Sequence, residues 1–202
     1  MPSFRYELLC EGRVAGIDEA GRGPLAGPVV AAVAVIDRTA AKRRLLKLIN
    51  DSKQLVVEDR EAAYEAMIAS GIVQFAVAEA TVEEIDRINI LQATFLAMRR
   101  ALQALADQPE VVLIDGNQVP PRLGCRAETI VGGDARSYSI AAASIFAKVT
   151  RDRYMAKLAA TWPGYGWETN RGYGSEEHLL ALQCLGPTPH HRMSFSPLSR
   201  LL

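Results

Sequence analysis

Four acidic residues stand where the surrounding chain would hold them rigidly and away from water. Asp18 and Glu19 close an apolar run that begins at Val14, immediately before a glycine-rich turn. Asp115 ends the run Val111-Val112-Leu113-Ile114, and Asp134 follows Gly132-Gly133 ahead of a long helical pattern. A carboxylate at the tail of a buried strand is costly unless a cation or several donors compensate it. Several that converge repel one another, and their pKa values rise unless a metal neutralises them. Oxygen-only ligand sets suit Mg²⁺ or Mn²⁺ rather than zinc. Two such ions about 4 Å apart can activate a water and stabilise the leaving oxygen of a phosphodiester. Taken singly, each Asp also fits a turn or a helix cap. Spacing alone leaves both readings open.

The elements that would position these groups alternate between strand and helix. Residues 14–18 and Val29–Ile36 are short apolar runs separated by the Gly/Pro-rich stretch 21–28, the pattern of buried neighbouring strands. Residues 39–50 and Val57–Ser70 read as helices, the second ended by Gly71, and residues 72–79 as another strand. Thr81 with Glu84 forms a capping-box pattern. Leu91, Phe95, Met98, Leu102 and Leu105 then recur at steps of four and three, which predicts an amphipathic helix. Val111–Asp115 reads as a buried strand, 127–131 as a further one, and 139–160 as a long helix stopped by Trp162-Pro163. Beyond Gly164 the chain turns loop-rich, with one helix at 175–184. The expected architecture is an α/β domain over residues 1–160, with 161–202 as a small helical and loop unit packed onto it.

Composition bounds the function. Nearly half of the 202 residues are apolar (49%) and 23% are charged, the balance of a globular chain rather than a disordered one. The formal net charge is zero, which does not favour phosphate binding. From Lys148 onward, however, seven cations stand against four anions, which leaves room for a local basic surface. The three cysteines are widely spaced and form no C-x-x-C, which argues for a reducing compartment. There is no apolar segment long enough for a signal or a membrane span, so the chain reads as cytoplasmic, without membrane association, and as a monomer.

The segment Gly16-Ile17-Asp18-Glu19-Ala20-Gly21-Arg22-Gly23-Pro24-Leu25-Ala26-Gly27-Pro28-Val29-Val30 resembles the opening signature of bacterial ribonuclease HII. Later segments follow in that family's order: Asn50-Asp51-Ser52-Lys53-Gln54-Leu55, Ile88-Asn89-Ile90-Leu91, Leu113-Ile114-Asp115-Gly116-Asn117 and Gly133-Asp134. Ile140-Ala141-Ala142-Ala143-Ser144-Ile145, Ala147-Lys148-Val149-Thr150-Arg151-Asp152, Gly172-Tyr173 and His191-Arg192 complete the series. The resemblance implies a ribonuclease H-like mixed sheet flanked by helices. It also implies a Mn²⁺- or Mg²⁺-dependent endonuclease that hydrolyses the RNA strand of RNA–DNA hybrids and cuts 5′ of single ribonucleotides embedded in duplex DNA. Asp18, Glu19, Asp115 and Asp134 match the family's catalytic and metal-binding carboxylates. Gly21, Arg22 and Gly23 match the loop that grips the ribonucleotide, and Tyr173 matches the tyrosine that senses the following deoxyribose. Only RNA offers a 2′-OH, and glycines allow backbone N–H groups to approach it closely.

Two positions depart from the family pattern: Gly132 and Met193 stand where Lys and Arg are frequent. Neither supplies a metal ligand. Asp152 fits an i,i+4 salt bridge with Lys148 better than an outer metal position. His190-His191 reads as part of a basic turn, and Trp162, Tyr165 and Trp167 as local packing rather than a base-stacking surface. Pro24, Pro28 and the lack of Gly-Lys-Ser/Thr disfavour a Rossmann or P-loop protein. Ribonuclease HIII carries an additional N-terminal domain, for which Asp18 lies too near the start. A resolvase or integrase of the same fold would not need the Gly-Arg-Gly loop with Tyr173. An inactive nucleic-acid binding module would be expected to lack a carboxylate.

Overall fold

The computed structural model describes residues 1–200. β1 (Val14–Ala20) and β2 (Val29–Ile36) form an antiparallel pair, joined by the Gly/Pro-rich loop. A single-turn helix α1 (Arg43–Leu46) and the longer α2 (Val57–Ser70) lead to β3 (Val73–Ala80), which pairs antiparallel with β2. Helix α3 (Val82–Ala104) crosses to β4 (Val111–Asp115) and β5 (Arg126–Ile130), both parallel to β1. The result is a mixed five-stranded sheet in the order β3-β2-β1-β4-β5. The chain closes with the long α4 (Tyr138–Thr161), the short α5 (Trp167–Asn170) and α6 (Glu176–Leu185).

The uninterrupted apolar run of β2 has a simple cause: both its faces are covered. Val29, Ala31, Val33 and Val35 pack with α3 on one side, while Ala32, Ala34 and Ile36 pack with α2 and α4 on the other. The capping box is present, with Thr81 N–H donating to Glu84 Oε2 at 2.9 Å and Glu84 N–H to Thr81 Oγ1 at 3.3 Å. Within α3, Asn89 sits at φ 66° and interrupts the helix. Its side-chain oxygen accepts from Leu91 N–H at 3.0 Å and Gln92 N–H at 3.2 Å, so it recaps the second half of the helix.

One expected helix is largely absent. Of residues 39–50, only Arg43–Leu46 is helical. Asp37 Oδ1 accepts from Thr39 N–H, Thr39 Oγ1 and Ala40 N–H (2.9, 2.7 and 3.3 Å), a side-chain turn that competes with helical bonding at the entry. The other expected helices and strands form within a residue or two of the pattern-based bounds.

The C-terminal segment packs on the end of α4 and the Gly/Pro-rich loop through Leu25, Ala26, Met155, Tyr165, Trp167 and Leu182. Tyr165 and Trp167 are therefore packing residues, as expected, while Trp162 lies at the surface. Two of the seven cations that left room for a local basic surface do not contribute to one. Arg151 and Arg192 are buried, and their charges point inward to backbone carbonyls.

Candidate active site

Sheet register brings the first two aspartates together. Ile17 and Ile114 are partners in the parallel β1–β4 ladder, so Asp18 and Asp115 follow at the same level on adjacent strands. Side chains alternate along a strand, so Gly16 and Asp18 share a face of β1. That face meets α4: a Cβ on Gly16 would lie 2.1 Å from the Ser139 carbonyl carbon and 2.2 Å from Ile140 N. The bare glycine lets the first turn of α4 rest on the strand. Asp134, in the 3₁₀ turn Gly133–Ala135 just before α4, is thereby carried to the other two. One carboxylate oxygen from each of Asp18, Asp115 and Asp134 lies within 4.8 Å of the others.

Glu19 is one residue further along β1 and belongs to the opposite face, so it lies outside this triad. Its Oε1 faces Arg22 Nη1 at 3.2 Å, and its Oε2 is buried without a hydrogen-bond partner among the described residues. Asp18, Glu19, Asp115, Gly21, Arg22, Gly23 and Tyr173 line one cleft of about 220 Å³, together with Lys53, Lys148 and Arg151. A larger cavity of about 410 Å³, around Glu7, Arg13 and Asp37, lies near the start of β1 and contains none of the expected site residues.

The electrostatics are those of carboxylates crowded out of water. Burial, then the charges of Glu19 and Asp115, raise the Asp18 pKa well above the ordinary carboxylate value. Burial also raises Glu19, opposed by Arg22. Asp115 is raised by burial and the Asp134 charge, against the hydrogen bond it accepts from Gly133 N–H at 2.7 Å. Lys53 Nζ donates to Asp134 Oδ2 at 2.9 Å. Burial works against this ammonium, yet the Asp134 hydrogen bond and the Asp18 charge hold its pKa above the usual lysine value. Lys53 thus supplies positive charge that the carboxylate cluster attracts.

The Gly-Arg-Gly loop has no regular secondary structure, so other groups fix its shape. Arg192 donates to the carbonyls of Gly27, Arg22 and Gly21 at 2.9, 3.0 and 2.6 Å. Arg151 donates to those of Pro28, Ala26 and Arg171 at 3.1, 2.9 and 3.0 Å. Neither has a carboxylate partner among the described residues; burial lowers their pKa values to about 10 for Arg151 and about 9 for Arg192, so both stay charged near neutrality. Gly21 (φ +94°) must be glycine here, because a Cβ would sit 2.0 Å from Arg151 Nε.

Lys53, Arg151 and Arg192 have roles that composition and periodicity do not disclose. Each lies in a segment that carries the family resemblance, and that was the available signal. Asp152 forms the expected bond with Lys148 at 2.7 Å, and Arg60 joins it at 3.2 Å. Gly132 adopts φ +64°, a conformation that suits glycine better than lysine, and Met193 N–H donates to Asp86 at 3.0 Å.

The basic-turn expectation for His190-His191 is corrected. His191 is 1% exposed, and burial, then neighbouring His178, lower its pKa to about 4. His178 is lowered as well. A histidine depressed in the fold and ordinary at 6.5 when unfolded binds its proton more readily in the unfolded chain. Its stabilisation is therefore complete above about pH 6.5 and is lost as pH falls toward 4. The melting temperature is expected to drop across that window, and to drop less in His191→Leu. Equal slopes for the two proteins would show that His191 protonates freely in the fold.

The model of the family described as ribonuclease HII matches residues 15–197. The chain belongs to the ribonuclease HII family. A ribonuclease HII of Rhodospirillum rubrum is 56% identical over 202 residues, covering all of this chain and 92% of that protein. One of Paramagnetospirillum magneticum is 54% identical, covering all of this chain and 99% of that protein. The crystal structure of the ribonuclease H2 from Pyrococcus horikoshii matches at 31% identity with a TM-score of 0.76, over 94% of this chain and 96% of that one. Family membership makes this chain a ribonuclease H endonuclease acting on RNA–DNA substrates, on the ribonuclease H-like fold described above. Among the described residues, no helix is long and apolar enough to cross a membrane.

Proposed function

We propose that this ribonuclease HII family member is a Mg²⁺- or Mn²⁺-dependent endonuclease that cuts 5′ of a ribonucleotide, including a single one embedded in duplex DNA, leaving 5′-phosphate and 3′-hydroxyl ends. The observation that carries the reading is the placement of three aspartate oxygens within 4.8 Å of one another, beside the cleft bordered by the Gly-Arg-Gly loop and Tyr173. The residues fit a hard divalent cation: the donors are all carboxylate oxygens, Asp18 is buried among like charges, and Glu19 adds an unpartnered oxygen at the margin. Asp18, Asp115 and Asp134 would hold the ion, with Glu19 contributing from the side. When bound, such ions supply Lewis acidity toward phosphodiester oxygens and offset the repulsion of the carboxylates.

The other residues bind and orient. Gly21, Arg22, Gly23 and Lys53 line the cleft, where backbone groups of the two glycines would meet the ribose 2′-OH and Arg22 and Lys53 would offer positive charge to the flanking phosphates. Tyr173, about half exposed, faces Gly23 across the cleft, where a Cβ on Gly23 would lie 3.6 Å from the tyrosine ring. A ring in that position packs against a deoxyribose and crowds an added hydroxyl.

The test is cleavage of duplex DNA carrying one ribonucleotide, with Mg²⁺, Mn²⁺ or chelator, and mapping of the product ends. Cutting on the 3′ side, or undiminished cutting in chelator, would overturn the reading. Tyr173→Ala leaves every carboxylate in place. It is expected to slow cleavage of the single-ribonucleotide duplex at least about tenfold more than cleavage of an all-RNA hybrid, a differential of about 1.4 kcal/mol. Equal losses on the two substrates, at unchanged melting temperature, would leave Tyr173 a packing residue.

A further inference from the structure

The two halves of the proposed junction reader, the Gly-Arg-Gly loop and Tyr173, come from distant parts of the chain. Neither lies in a helix or strand. They nevertheless come close: a Cβ on Gly23 would lie 3.6 Å from the Tyr173 ring, and Leu25 N–H donates to Gly172 O at 2.8 Å. We propose that the adjacent residues His191 and Arg192 form one positioning element that locks the Gly-Arg-Gly loop and Tyr173 at a fixed separation. This rests on the reading of the cleft given under Proposed function.

Arg192 provides the hold on the loop. Its guanidinium spans the carbonyls of Gly21, Arg22 and Gly27, and its backbone N–H donates to Leu25 O at 2.8 Å. His190 O accepts from Gly27 N–H at 2.9 Å, completing an antiparallel bridge between Ala26 and His191. Bonds from a charged donor to neutral acceptors are among the stronger ones. A lysine could satisfy at most part of this set, because its donors radiate from one atom.

His191 provides the hold on Tyr173, and its proton positions follow from its partners. Thr188 N–H donates to His191 Nδ1 at 2.8 Å, so that nitrogen is an acceptor and Nε2 carries the proton. His191 Nε2–H then donates to His178 Nε2 at 3.0 Å. His178 Nε2 also accepts from Trp167 Nε1–H at 3.1 Å, which confirms it as an acceptor. His178 must therefore carry its proton on Nδ1, and it donates to the Tyr173 carbonyl at 2.8 Å. One arrangement of protons is compatible with every contact and leaves both rings neutral, with the single Nε2 lone pair of His178 shared between His191 and Trp167. Both rings are buried, His178 at 0% and His191 at 1% exposure, so water does not compete for these bonds.

Consecutive residues of one short segment thus grip the two sides of the cleft. A shift of the His191-Arg192 backbone would move both sides together. A break in the imidazole relay would remove one tie on Tyr173, while the bonds of Leu25 N–H to Gly172 O and of Arg151 to Arg171 O still hold its segment to the loop. Neither histidine lines the cleft, so both act through Tyr173 and are positioning residues.

The experiment compares wild type, His191→Leu, His191→Gln and His178→Asn. For each, kcat and KM are measured on a single-ribonucleotide duplex and an all-RNA hybrid, with melting temperature and Mn²⁺ affinity. His191→Leu removes the relay and is expected to reduce the preference for the single-ribonucleotide duplex at least fivefold, mainly through its KM, with Mn²⁺ affinity unchanged. His191→Gln keeps a donor and an acceptor at similar spacing and is expected to restore at least half of that preference. His178→Asn retains a donor for the Tyr173 carbonyl but cannot reach His191. It is expected to lose preference as His191→Leu does, and it serves where His191→Leu does not fold. A preference within twofold of wild type in both His191→Leu and His178→Asn would overturn the proposal, as would equal losses in the Leu and Gln variants. A wild-type protein with no preference would retire the junction reading itself, and this inference with it.

Discussion

Asp18→Asn and Asp115→Asn proteins are expected to cleave an RNA–DNA hybrid at least about a hundredfold more slowly than wild type, a loss of about 2.7 kcal/mol of transition-state stabilisation. They are also expected to melt no lower than wild type in chelator. The second expectation follows from the charges. Asp18 is buried beside Glu19 and Asp115, and like charges at that distance oppose the fold when no cation is present. Replacing one carboxylate by an amide of the same shape removes repulsion while keeping the acceptor oxygen. That oxygen continues to serve Glu19 N–H at 2.7 Å in Asp18→Asn, and Gly133 N–H at 2.7 Å in Asp115→Asn. Activity assays paired with thermal melts check both parts. A variant that retains more than about a tenth of the wild-type rate would remove its carboxylate from the essential set. A variant that loses activity and melts much lower would make the carboxylate structural.

The largest stability effect is expected at a residue without a side chain. A Cβ added to Gly16 would lie 2.1–2.4 Å from backbone atoms of Ser139 and Ile140, and backbone atoms cannot step aside as the end of a flexible side chain can. Gly16→Ala must therefore push α4 off β1. Overpacking a core costs about 1–3 kcal/mol when side chains relax, and more when they cannot. We expect a loss of more than about 4 kcal/mol, or a fall in melting temperature on the order of 10 °C for a domain of this size. The displacement also carries Asp134 away from Asp18 and Asp115. The fraction that remains folded should consequently bind Mn²⁺ more weakly, measurable by calorimetry below the melting transition. Gly71→Ala is an informative control: its added Cβ meets nothing within 4 Å, and the cost there is only that of a left-handed backbone at φ +66°. Similar losses in the two variants would show that close approach of α4 is not what Gly16 provides.

Much of this protein is legible in its residues alone. The apolar runs ending in Asp18 and Asp115, the unbroken apolar β2, the Thr81–Glu84 capping box and the small-residue start of α4 all declare themselves locally. Each is a short-range pattern of burial or capping, which is why it survives into the fold. The segments around Asp18, Asp115, Asp134 and Tyr173 likewise carry the resemblance that the family match bears out. Residues 39–50 were misleading for the same local reason: helical composition does not reveal that Asp37 will tie up the entry with its own side chain.

What only the tertiary structure decided is how distant residues face one another. Pleating placed Glu19 on the opposite face from Asp18, so that Asp134, far away in sequence, completes the close triad in its stead. Burial turned His191 from an expected base into a neutral link, and it turned Arg151 and Arg192 inward. Sequence shows that these side chains can carry charge. Whether they face water or six backbone carbonyls depends on which loop the C-terminal segment packs against, and that is settled by long-range packing rather than by any local pattern.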